Sequence, residues 1–156
     1  MPSSSASLIP SLRQASRQMV RELGFMQATL AATDYPPSAV HALLEIGQGN
    51  ALTAGDLVTL LGLEKSSVSR LVRKLVDAGE ISEQAHDQDA RSKKLQLSAR
   101  GRQTLAGIDR FAQAQVAAAL AHLSPAQQRS ACAGIADYAR ALRAVRLGDV
   151  PEPPER

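Results

Sequence analysis

The chain has 156 residues, of which 44% are apolar and 3% aromatic, and a formal net charge of +3. That apolar share can fill a core, and with no tryptophan the core must come from Leu, Ala, Val and Ile, which suits packed helices. A single cysteine excludes an internal disulfide and fits a reducing compartment. No apolar run nears the ~18 residues of a membrane span. The opening MPSSSASLIP lacks the basic segment and apolar stretch of a signal peptide, so the expectation is a soluble, cytoplasmic protein with no membrane contact.

Residues 1–7 are serine-rich and expected to fray. From Leu8 to about Thr33, Leu12, Ala15, Met19, Leu23, Met26 and Leu30 step by three and four, which predicts one long amphipathic helix. Asp34-Tyr35-Pro36-Pro37 stops it, because proline cannot donate and disfavours helix before itself. Ser38 or the proline pair starts a second helix with Val40, Leu43 and Leu44 on one face, ended by Gly47 to Asn50. Thr53 and Asp56 have capping-box spacing and open a short helix carrying Leu57, Leu60 and Leu61, which Gly62 breaks. A further helix spans 65–78 and closes at Gly79. ISEQA and KKLQLS then alternate around a polar connector, which predicts a β-hairpin over 81–98. Ser98 or Ala99 begins a long helix through Leu105, Ile108, Ala112, Val116 and Leu120. Ser124 caps the last one, with Pro125 at its first position and Ile135, Tyr138, Leu142 and Val145 on its apolar face. The tail over 148–156 reads as a disordered linker.

The charge is not spread evenly. Glu64 to Arg102 holds nine basic and six acidic residues, and the remainder of the chain balances at nine of each. The whole positive excess therefore lies in one quarter of the sequence, where a local polyanion contact would need it. Within that window, Val68, Leu71, Val72, Leu75 and Val76 form the buried stripe of the 65–78 helix. Its other faces carry Lys65, Ser66, Ser67, Ser69, Arg70, Arg73 and Lys74. Small hydroxyls let such a helix approach a surface closely. Arg can bond bidentately to guanine edges, and Lys and Ser can take phosphate. Val58, Gly62 and Val68 have helix-turn-helix spacing. The first of these positions is usually small, so Val58 could hold the two helices slightly apart. Taken alone, the helix reads equally well as a solvated amphipathic surface.

The segment DARSKKLQLSARG, from Asp89 to Gly101, resembles the wing of MarR family winged helix-turn-helix regulators. That wing reads Asp-x-Arg, three residues, then Leu-x-Leu-Ser/Thr-x-x-Gly, and Asp89, Arg91, Leu95, Leu97, Ser98 and Gly101 match it at every step. Leu52 to Ile81 also looks like the family's helix-turn-helix. The implied fold is mostly α with a small β-hairpin wing: a winged helix-turn-helix plus long N- and C-terminal dimerisation helices. The implied organisation is a dimerisation helix over 1–35, a DNA-binding domain over 36–98 and C-terminal dimerisation helices over 99–147. The resemblance implies a homodimeric, double-stranded-DNA-binding transcriptional regulator, a repressor released by a small effector. Arg91 would enter the minor groove, whose negative potential attracts Arg, with Asp89 supporting it. Lys93 and Lys94 would flank phosphates. Leu8, Leu12, Ile135, Leu142 and Val145 are the dimer candidates.

Family effectors are small and often aromatic or anionic, and they bind between the dimer helices and the winged domain. Arg17, Arg21, Phe25 and His41 are the candidates for such a pocket, although Arg13, Arg17 and Arg21 also read as a solvated row on the first helix. Cys132 is expected to be a buried, inert thiol, since the family's peroxide-sensing branch uses a cysteine in the first helix. His86, Asp87 and Asp89 lie close together without a second ligand cluster, so neither a metal nor another cofactor is expected. No phosphate-binding loop, nucleophile elbow or CxxC pair occurs, which argues against an enzyme. Two alternatives remain: a module related to an acetyltransferase fusion, and a winged helix used for protein contact.

Overall fold

A computed structural model describes residues 4–86 and 89–149, with side chains over 7–85 and 92–149. The elements run α1 (Ser4–Glu22), α2 (Pro37–Gly47), α3 (Ala54–Leu61), α4 (Lys65–Asp77), β1 (Ile81–His86), β2 (Asp89–Leu97), α5 (Ala99–Leu120) and α6 (Pro125–Leu147). The chain divides into two compact units, Met1–Ala112 and Gln113–Arg156.

The first unit holds the core. Val40, Leu43 and Ile46 of α2, Leu57 of α3, and Val68, Leu71, Val72 and Leu75 of α4 are all buried together. Ile81 and Leu95 bring the hairpin onto this cluster, and Ile108 brings in α5. β1 and β2 pair antiparallel, Ile81 opposite Leu97 and Glu83 opposite Leu95, with an irregularity between Ala85 and His86. A third backbone segment joins them, since Leu95 N donates to Leu52 O at 2.8 Å. The hairpin is thereby anchored to the loop that opens α3.

The local signals explain most boundaries. Thr53 and Asp56 form the reciprocal capping box of α3, and Ser124 and Gln127 form that of α6. Pro37 sits at the start of α2, where its missing N–H costs nothing. The first helix is a correction: it ends at Glu22 instead of continuing to Thr33. Gly24 takes φ +84°, Gly24 N donates to Arg21 O and Phe25 N donates to Val20 O, the paired bonds of a Schellman stop. Beyond it the chain runs as turns, with Ala31 and Ala32 also at positive φ. Met26 and Leu30 kept the helical period without being helical.

The second unit contains the end of α5 and all of α6. Gln128 Nε2 donates to Leu120 O and Leu123 O and ties the turn between them. None of the 23 residues of α6 is buried. Cys132 is exposed, against the expectation of burial, on a helix none of whose residues is buried.

Candidate nucleic-acid interface

α4 is divided sharply. Val68, Leu71, Val72 and Leu75 are buried, and Lys65, Ser66, Ser69, Arg70, Arg73 and Lys74 are exposed. Ser67 is half-buried and lies 3.5 Å from Arg70 Nη2. Glu64 supplies no side-chain cap, so the first amides of α4 are left for solvent or an anion. α3 lies against α4 across Gly62, as a helix-turn-helix requires, with Gly62 in the left-handed conformation at the turn.

The hairpin meets α4 through its sheet register. Lys93 shares a face with Leu95, and its ammonium bonds Glu83 Oε2 at 2.9 Å across the strands. Lys94 points to the opposite face, beside Leu52 and Arg102. The two lysines expected to act alike are therefore separated by strand alternation. The backbone of Asp89 and Arg91 lies on β2, while their side chains lie outside the described residues. The His86, Asp87 and Asp89 group also falls there. Among the described residues no group of three potential ligands could hold a metal.

The remainder of the wing motif has a clear physical basis. Ser98 Oγ donates to Gly79 O at 2.6 Å and accepts from Gly101 N at 2.9 Å, while Ser98 N donates to Glu80 O. One hydroxyl thus joins the end of α4 to the start of α5. A Cβ at position 101 would lie 2.0 Å from Glu80 O, so only glycine fits there.

Sequence reasoning missed the polar group beside this junction. Glu80 is 1% exposed. Its Oε1 accepts from Tyr35 Oη at 2.7 Å and from Arg100 Nε at 3.2 Å, while Oε2 is buried without a hydrogen-bond partner among the described residues. A buried carboxylate is costly unless bonded, so Tyr35 and Arg100 are what make Glu80 tolerable. Burial, reinforced by the bond and charge of Glu80, pushes the Tyr35 hydroxyl above its usual range. The Glu80 bond and charge likewise raise the Arg100 pKa. The Gly79 stop of α4 (φ +73°) turns Glu80 inward, which an approach from sequence reads only as a helix end.

The candidate pocket residues are only partly brought together. The rings of Phe25 and His41 stack at 5.6 Å between centroids and 17° between planes. Arg17 and Arg21 stand exposed on α1. Leu8, Leu12, Ile135, Leu142 and Val145 are exposed by 44–76%.

A helix-turn-helix followed by an antiparallel hairpin, with the basic face of its second helix open, defines a winged helix-turn-helix protein. Residues 33–92 match the model of the MarR family. The chain is 31% identical over 97 residues to the exopolysaccharide II synthesis transcriptional activator ExpG of Rhizobium meliloti (strain 1021), covering 62% of this chain and 50% of that protein. The chain spans about half the length of that curated relative. Among solved structures it is similar to a probable transcriptional regulator from Pseudomonas aeruginosa, with a TM-score of 0.63, 26% identity, and coverage of 81% and 92% of the two chains. It also shares the fold of Streptococcus pneumoniae FabT, solved in complex with DNA, with a TM-score of 0.73, 20% identity, and coverage of 90% and 99%. The match to the MarR family thus covers residues 33–92, which run from just before α2 into β2 and hold the helix-turn-helix.

Proposed function

We propose that this chain is a sequence-specific, double-stranded-DNA-binding transcriptional regulator that acts as a homodimer on a pseudo-palindromic operator. The observation that carries this reading is the exposed Ser66, Ser69, Arg70, Arg73 and Lys74 face of α4, backed by the buried Val68, Leu71, Val72 and Leu75 on its opposite face. A helix so held can lie in the major groove with its polar side chains outward. Arg70 is the candidate base reader, and Lys65, Ser67, Arg73 and Lys74 grip phosphate or base edges. Arg91, supported by Asp89, enters the adjacent minor groove. FabT, of the same fold, is solved with DNA bound, which supports this assignment of partner.

Homodimerisation is supported by α6, none of whose residues is buried among the described residues, and by the exposed leucines of α1. Leu8, Leu12, Ile135, Leu142 and Val145 are the residues a partner would cover. The regulator is a repressor that a small aromatic or anionic effector releases, with Arg17, Arg21, Phe25 and His41 contributing to the effector site. The likeness to a protein named as an activator favours activation as the second reading. A promoter–reporter pair with and without the protein separates the two.

The test is binding to a duplex from the gene's own upstream region against a scrambled duplex over a salt series. Tighter binding to the native duplex, with log affinity falling as salt rises, is the expected result. Arg70→Ala should cost about 1–3 kcal/mol on the native duplex and relax base preference. Absence of binding at low salt would remove the DNA reading and favour a protein-contact role.

A further inference from the structure

Residues 30–35, between α1 and α2, form a loop closed on itself. Leu30 N donates to Tyr35 O, Thr33 N and Thr33 Oγ1 both donate to Leu30 O, and Tyr35 N donates to Thr33 Oγ1. This closure sets an unfavourable backbone. Ala31 and Ala32 stand at φ +56° and +54°, where Cβ crowds the following carbonyl, and alanine stays there only when its surroundings impose it. Pro36 and Pro37 have their own φ fixed by their rings, so the two alanines are where the loop can swing. Glu80 adds a second unfavourable feature, since its buried Oε2 has no hydrogen-bond partner among the described residues. Against both stand the bonds of Glu80 Oε1 with Tyr35 Oη and Arg100 Nε.

We infer that this loop is a sprung strap latched shut by the Tyr35–Glu80–Arg100 contact, with a locally open state only slightly less stable than the closed one. Opening swings Tyr35 away at Ala31 and Ala32, lets water reach both Glu80 oxygens and returns the alanines to ordinary backbone. Solvation and relief of strain then offset much of what the lost bonds contributed. The latch reaches beyond the loop. Glu80 lies between α4 and β1, its N–H donates to Leu75 O in α4, and its carbonyl accepts from Ser98 N just past β2. Freeing its side chain therefore loosens the join between α4 and the hairpin. If α4 and the hairpin grip one duplex, only the shut latch holds them at the angle that grip requires. That consequence rests on the DNA-binding reading; the latch itself does not.

Amide hydrogen exchange on the full chain, read residue by residue by NMR at several low denaturant concentrations, tests the latch. In the wild type, the Leu30, Thr33 and Ser98 amides should exchange through one common opening, faster than the Leu71 and Leu75 amides inside α4 and with little response to denaturant. Tyr35→Phe keeps the ring, removes the bond and should speed all three by about tenfold or more. Ala32→Gly should slow all three, because glycine adopts that φ without strain and Ala32 is exposed. A glycine that merely loosened the loop would speed them. Ser98, remote in sequence, reports the latch and not the substitution itself. Exchange of these amides only on global unfolding, faster exchange in Ala32→Gly, or a Ser98 amide indifferent to Tyr35→Phe would each overturn the inference. Saturating native duplex should slow Leu30 and Thr33, which lie outside α4 and the hairpin; unchanged rates with duplex bound would overturn the coupling to the reading face. The same three-amide pattern in a protein that binds no duplex would support the latch and remove the DNA reading.

Discussion

Glu80 shows how one side chain can hold three segments that are far apart in sequence. Tyr35 precedes α2, Arg100 belongs to α5, and Glu80 itself follows α4. Tyr35→Phe leaves Glu80 with Arg100 alone and should destabilise the fold by about 1–3 kcal/mol in chemical denaturation. The pH dependence follows from the raised Tyr35 pKa. A group that holds its proton more tightly when folded adds stability below its unfolded pKa, near 10 for tyrosine, and that stability is lost as pH rises through the folded value. Wild-type stability should therefore fall more steeply above about pH 10 than that of Tyr35→Phe. Glu83 supports a second expectation. Its bond to Lys93 neutralises a cation on the hairpin. Glu83→Gln should strengthen binding to every duplex alike. Lys93→Ala should weaken it uniformly and reduce the salt slope by about one. A change confined to the native duplex would assign Lys93 to base recognition instead.

Helices and hairpin differ in how far they could be read in advance. Local signals sufficed where the deciding residues are neighbours: Thr53 with Asp56, Ser124 with Pro125, and the alternation of Leu95 and Leu97 all gave the observed elements. The split of α4 into a buried and a basic face was equally legible, because it depends only on helical period. α1 was overrun because Met26 and Leu30 preserve that period past the Gly24 stop. The Tyr35–Glu80 bond spans 45 positions, and no local pattern encodes it. The opposed faces of Lys93 and Lys94 follow from strand register, which became definite only with the pairing partners. α6 carries its own prediction. Leu142 is 52% exposed on a helix with no buried residue. Leu142→Asp should give a monomer in light scattering. Its affinity for a two-half-site duplex should fall by about 10²-fold or more, while that for one half-site stays unchanged.

Charge and assembly belong to the chain taken together. The positive excess is confined to Glu64–Arg102, so added salt should weaken duplex binding far more than it alters folding. If partner contacts hold α6, thermal stability becomes a function of protein concentration, because only the associated state covers its apolar side chains. Diluting the protein a hundredfold should lower Tm measurably in the wild type and leave that of Leu142→Asp unchanged. Equal melting at all concentrations would assign α6 to the single chain.

The contact at Gly101 has a consequence for how this sequence can drift. There the start of α5 passes so close to the Glu80 carbonyl that a single added methyl group would collide with backbone, which cannot rotate away. In a library sampling all twenty amino acids at each site and sorted for folded protein, position 101 should return glycine alone. Arg102, exposed one position later, should return many. That contrast would mark the closest passage of two backbones without any further structure.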